Sequence, residues 1–161
     1  MKLYLTVLFI LFTINSYAKD LVVVDIDFII KNSKNGKEII DDLNEKNKKL
    51  IDKFQKQEKI FKDKETNLLA KKNILSQDEF NNSVNQFRNE INEFNINKQE
   101  KLNEFNKEKT NKYAELVSYI NDFLVNYSKE NNIKVIIDKK NILISRNDID
   151  ITKDILNIIN K

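Results

Sequence analysis

The chain of 161 residues contains no cysteine, no histidine, no proline and no tryptophan, and its one glycine is Gly36. Each absence removes a class of answer. Without cysteine there is no disulfide framework, no thiolate metal site and no thiol to carry a lipid. Without histidine the commonest general base and the commonest transition-metal ligand are both missing, so any chemistry would rest on carboxylates, lysines and tyrosines. So few turn-makers do not suit a compact α/β enzyme, whereas long helices tolerate the scarcity. What the chain has in quantity is charge: 28 basic and 25 acidic side chains, a third of all residues, for a formal net charge of +3. Its wealth of asparagine, lysine and isoleucine reads as codon bias of an AT-rich genome. The Asn-x-Ser triplets at Asn81 and Asn126 are expected by chance in such a chain.

The chain opens with a short basic region, Met1-Lys2, followed by an apolar stretch from Leu3 to Ile14 and small residues at Ser16-Tyr17-Ala18, where a signal peptidase needs them. Residues 1–18 are therefore expected to be a cleaved export signal. As a membrane anchor the apolar stretch is short: at ~1.5 Å per residue it reaches ~18 Å, against a hydrocarbon core of ~30 Å. A soluble chain beginning at Lys19 is expected in the periplasm. Taking eighteen residues and one lysine from the whole leaves 143 residues and a net charge of +2.

From Lys37 to Lys72 nothing breaks a helix. Ile40, Phe54, Phe61 and Leu68 share one heptad register, interrupted by Asn47, and Leu43 and Leu50 share the other, interrupted by Gln57 and Lys64. Such a leaky seam suits a helix packed on one neighbour and partly wet. Ser76 followed by Glu79 is a capping box, so a helical hairpin should turn near residues 73–76. The second helix then shows Phe80, Val84, Phe87, Ile91 and Phe94 at alternating four- and three-residue steps, followed after a stutter by Leu116, Ile120, Phe123 and Tyr127. Two helices of this length cannot be wrapped by the remaining chain and should protrude. Residues 46–75 carry ten lysines against four acids, a net of +6, while residues 76–110 carry five basic against seven acidic side chains, a net of −2. One helix of the hairpin is thus distinctly basic, a field that could attract acidic proteins or an anionic membrane surface. The competing reading is a solvated face paired with acids of the other helix.

Beyond residue 130 the pattern turns to sheet. Ile133-Lys134-Val135-Ile136-Ile137-Asp138 and Ile142-Leu143-Ile144-Ser145 read as short strands joined by the turn-like Asp138-Lys139-Lys140-Asn141. With Leu21, Val22, Val23 and Val24 they make about three strands, and Ile155, Leu156, Ile158 and Ile159 follow on a short closing helix. The expected class is α+β, mainly α: a helical-hairpin arm, residues 37–130, projecting from a small β-rich body built from residues 19–36 and 131–161. So small a sheet leaves apolar surface uncovered, and another copy of the chain is the obvious cover. The residues expected to carry oligomerisation are therefore Leu21, Val22, Val23, Val24, Val135, Ile136, Ile137, Ile142, Leu143 and Ile144.

Two aspartates close the first strand, in Val22-Val23-Val24-Asp25-Ile26-Asp27. As a nucleophile and acid/base pair beside magnesium they would need repeated βα units and further metal-binding loops, which the sequence lacks. The expected role is a helix cap, supplied by Asp25 or Asp27 to a turn containing Phe28 to Ile30. Gly36-Lys37 resembles the end of a phosphate-binding loop, but Glu38 stands where Ser or Thr is needed and the earlier glycine is missing. No catalytic, cofactor-binding or metal-binding residue is nominated, and neither enzymatic activity nor nucleic-acid binding is expected.

The export signal, the strand Val22-Val23-Val24-Asp25, Ser33-Lys34-Asn35-Gly36-Lys37 opening a long hairpin, Val135-Ile136-Ile137-Asp138 and the terminal Asp150-Ile151-Thr152 together resemble the Skp/OmpH-like periplasmic chaperones over nearly all of the chain after the signal. The resemblance implies a homotrimer with a small β-rich body and three helical arms enclosing a cavity. It also implies ATP-independent holding of unfolded outer-membrane β-barrel proteins. Lipopolysaccharide or an anionic membrane would be a further electrostatic partner. A structural coiled-coil adaptor of the envelope, binding one folded partner, is the rival reading. The seam phenylalanines Phe54, Phe61, Phe87 and Phe94 are expected to be hairpin core before they are client contacts, and no client-binding residue is singled out.

Overall fold

The computed structural model describes residues 20–161. The expected export signal lies outside the described residues. The elements run β1 (Leu21–Val24), α1 (Ile26–Asn32), α2 (Lys34–Ala70), α3 (Gln77–Glu130), β2 (Val135–Asp138) and α4 (Thr152–Ile159), with 3-10 turns at Lys139–Asn141 and Asn147–Ile149. The chain is mainly helical around a small parallel two-stranded sheet.

Asp25 ends β1 and starts α1, its carboxylate accepting from the Phe28 amide at 2.8 Å. What the sequence suggested as a turn is a seven-residue helix. Ser33 then serves two helices at once. Its backbone N–H donates to the Ile29 carbonyl at 2.8 Å and closes α1, while its hydroxyl accepts from the Gly36 amide at 3.1 Å and opens α2. The abrupt change of direction brings the first turn of α2 against the last turn of α1. A Cβ placed on Gly36 would lie 1.7 Å from the Ile30 carbonyl oxygen, which accounts for the only glycine in the chain. The other end of the chain helps cap the same helix, for the Lys34 amide donates to Asn160 Oδ1 at 2.8 Å.

Helices α2 and α3 form an antiparallel hairpin. The expected capping box opens α3: Ser76 accepts from the Glu79 amide, and the Glu79 carboxylate accepts from the Ser76 amide at 3.1 Å and its hydroxyl at 2.6 Å. With 54 residues at ~1.5 Å each, α3 is about 80 Å long. It ends without glycine. Asn132 takes a positive φ of 54° instead, and the Ile133 amide returns to the Ser128 carbonyl at 2.9 Å, satisfying a carbonyl the helix would leave orphaned.

That ending corrects one expectation, because Ile133 closes the helix and β2 starts only at Val135. Strand β2 pairs parallel with β1, Val22 opposite Ile136 and Val24 opposite Asp138, across more than a hundred residues of chain. A second correction concerns Ile142-Leu143-Ile144-Ser145, which is not a strand. Asp138 accepts from the Lys140 amide at 3.2 Å and winds the next residues into a 3-10 turn, which carries the chain away from β2 instead of folding it back alongside. The sheet therefore has two strands where three were expected. On its other edge β1 is covered by a parallel bridge from Val23 to Asp150, with the Ile151 amide donating to the Val23 carbonyl at 2.9 Å.

A single core unites both chain ends with the root of α3. Val22 and Val24, Ile29 and Ile30, Leu116, Ile120 and Leu124, and Ile151 and Ile155 are all buried together. Each contributes ~1.5–3 kcal/mol by leaving water. This is what anchors the hairpin.

Candidate functional site

Along the hairpin the packing is thin and aromatic. Phe54 is 4% exposed and meets Phe94 edge-on at 6.1 Å, while Phe61 sits between Phe87 at 6.1 Å and Phe94 at 5.2 Å. Lys98 lays its ammonium 5.6 Å from the Phe54 ring centre and 6.0 Å from that of Phe94, sealing the cluster with charge on its outer side. The four phenylalanines read from the heptads thus do meet as hairpin core. Lys98, which the apolar pattern alone would treat as a break, is its lid.

Three ion pairs cross the seam: Lys46–Glu108 at 2.6 Å, Lys64–Glu90 at 2.7 Å and Lys98–Glu58 at 2.6 Å. The hydrogen bonds that the Lys46 ammonium donates to Glu108 and Asp42 push its pKa up to about 12. Such exposed pairs set register more than stability. Of the ten lysines in residues 46–75, Lys46 and Lys64 pair across the seam and Lys49 pairs with Glu45 on its own helix. The other seven have no carboxylate partner among the described residues. The pairing reading therefore covers part of the basic face, and the rest stands free in water.

In the body, the residues nominated for oligomerisation divide sharply. Val22, Val23 and Val24 are fully buried within the chain's own core, whereas Leu21 and Val135 are exposed and Ile136, Ile137 and Ile142 are half-buried. Leu143 is 98% and Ile144 85% exposed. Among the described residues no strand covers the outer edge of β2, and the bare Leu143–Ile144 pair follows in the loop after that strand.

Asp150 and Thr152 tie the final segment to β1. The Asp25 amide donates to Thr152 Oγ1 at 2.9 Å, and that hydroxyl donates to Asp150 Oδ1 at 2.6 Å. Lys139 Nζ reaches the other oxygen of Asp150 at 2.6 Å. Burial pushes the Asp150 carboxyl up, but the bonds from Lys139 and Thr152 outweigh it and hold the group below its ordinary range. Asp27, meanwhile, accepts from the Tyr113 hydroxyl, a bond that together with burial raises the tyrosine. Both aspartates of the opening strand are thus engaged in holding α1 and its neighbours. No cluster of three metal-ligating side chains occurs among the described residues.

An outer-membrane-protein family model, OmpH-like, matches residues 20–159. The chain belongs to the OmpH-like family. The fold agrees: a crystal structure of a candidate OmpH-like outer membrane chaperone from Caulobacter crescentus CB15 superposes with a TM-score of 0.80 at 13% identity, covering 88% of this chain and 84% of the other. No curated protein sequence matches this OmpH-like chain significantly. No helix among the described residues of this family member is long and apolar enough to cross a membrane.

Proposed function

We propose that this protein is a periplasmic holdase that works without ATP, taking unfolded outer-membrane β-barrel proteins between helical arms and keeping them from aggregating. Membership of the OmpH-like family implies a chaperone role. The observation that carries the finer reading is the hairpin itself, two helices held by one thin phenylalanine seam and rooted in a body at one end. Such an arm can bend and splay at low cost, and its many free lysines offer weak contacts that add by avidity without demanding a fixed pose. The same basic face suits anionic membrane or lipopolysaccharide as a secondary contact.

The working unit is a homotrimer. Its support is the outer edge of β2, which no strand covers among the described residues, together with the exposed Leu143 and Ile144, apolar surface that a soluble chain would cover with another copy of itself. Three bodies joined there would leave three arms to surround a client. Export to the periplasm rests on the signal expected at residues 1–18.

The test is suppression of aggregation. The chain from Lys19 onward should keep several unrelated unfolded β-barrel proteins in solution, with and without ATP. Selectivity for a single folded partner would instead identify the structural adaptor.

A further inference from the structure

At the root of the hairpin α1, α2 and α3 diverge and leave a cleft of about 500 Å³, within the ~300–1,000 Å³ usual for small-molecule sites. Its walls are Ile30, Ile39, Ile40, Leu43 and Leu116, and Lys31 and Lys109 lie on its lining with Asn106 and Thr110. Asp27 and Tyr113 are bonded to each other at its edge. We propose that this cleft binds one long-chain fatty acid, its hydrocarbon tail among the isoleucines and its carboxylate at Lys31 and Lys109.

The occupant follows from charge and from the walls. Neither Lys31 nor Lys109 has a carboxylate partner among the described residues. The one acid on the lining, Asp27, is engaged by Tyr113 and is also opposed by the charge of Lys140. Two free cations beside an apolar wall complement a ligand with one anionic end and one apolar end. The walls are helices, whose backbone groups are already bonded internally, so an extended peptide would bury amides there without partners. A hydrocarbon tail has no such groups to strand.

The site is separate from the arm surface invoked for client holding, and its occupancy does not depend on that reading. Titration of the chain from Lys19 onward with cis-parinaric acid, followed by fluorescence, should saturate at one probe per chain, and monomeric palmitate should displace it. Replacing both lysines, Lys31→Gln and Lys109→Gln, should weaken binding roughly tenfold, and hexadecanol, which has the tail without the charge, should compete about tenfold less well than palmitate. Ile40→Trp should fill the cleft and abolish binding while circular dichroism shows the helices intact. Binding that never saturates, that ignores both the lysine replacements and the missing carboxylate, or that an uncharged apolar peptide displaces as well as palmitate does, would overturn the proposal.

Discussion

At position 36 a side chain has nowhere to go. Its Cβ would sit 1.7 Å from the Ile30 carbonyl oxygen, which belongs to backbone and cannot swing aside. Gly36→Ala should therefore cost upwards of roughly 2 kcal/mol by forcing α1 and α2 apart, although alanine favours helix elsewhere. A thermal melt of the variant reads this directly. The Asp150–Thr152 latch makes a second prediction at this scale. Because the folded carboxyl of Asp150 lies below its ordinary value, its contribution to stability is fully present above about pH 4 and is lost as pH falls through the lower folded value. Acid should loosen α4 from β1, seen as faster amide exchange at Ile151 and along α4. Thr152→Val removes the hydroxyl that both accepts from the Asp25 amide and donates to Asp150, and should destabilise by about 1–3 kcal/mol at neutral pH.

Among the elements, the hairpin stands apart energetically from its root. Phe61 contacts Phe87 and Phe94 but none of the body core, so Phe61→Ala should cost ~1–3 kcal/mol locally. Hydrogen exchange should quicken between residues 54 and 94 while β1 and the root of α3 keep their protection. Lys64→Ala, which breaks an exposed cross-seam pair, should cost under ~1 kcal/mol. The hairpin was also the most legible part of the sequence. Ser76 and Glu79 announce the turn chemically, and the Phe80-to-Phe94 spacing can hardly be anything but a helix face. The Ile142–Ser145 run misleads for the opposite reason. A short β-branched stretch shows strand propensity, but it becomes a strand only when a partner lies alongside, and the capping of the Lys139–Asn141 turn by Asp138 removes that partner. Helix α1 was too short to show periodicity, and only its capping aspartate gave it away. The cleft could not be read at all, because its walls come from residues 30–43 and 116, which no local pattern connects.

For the whole molecule, everything turns on the apolar surface that one copy leaves bare. Leu143 and Ile144 make no contribution to the core of their own chain. Leu143→Asp with Ile144→Asp should therefore leave each chain folded by circular dichroism while reducing the proposed trimer to single copies, and client holding should fall with it, because the proposed cavity needs several arms at once. The burial of Val22, Val23 and Val24 sharpens this prediction: those residues stabilise the chain itself, so the proposed association rests on the β2 edge and the exposed loop after it. The most direct measurement is the native mass of the chain from Lys19 onward, alone and after addition of one unfolded β-barrel protein. The account predicts a trimer that takes up a single client without changing its own copy number. A lone chain that stays single and leaves the client to aggregate would contradict it.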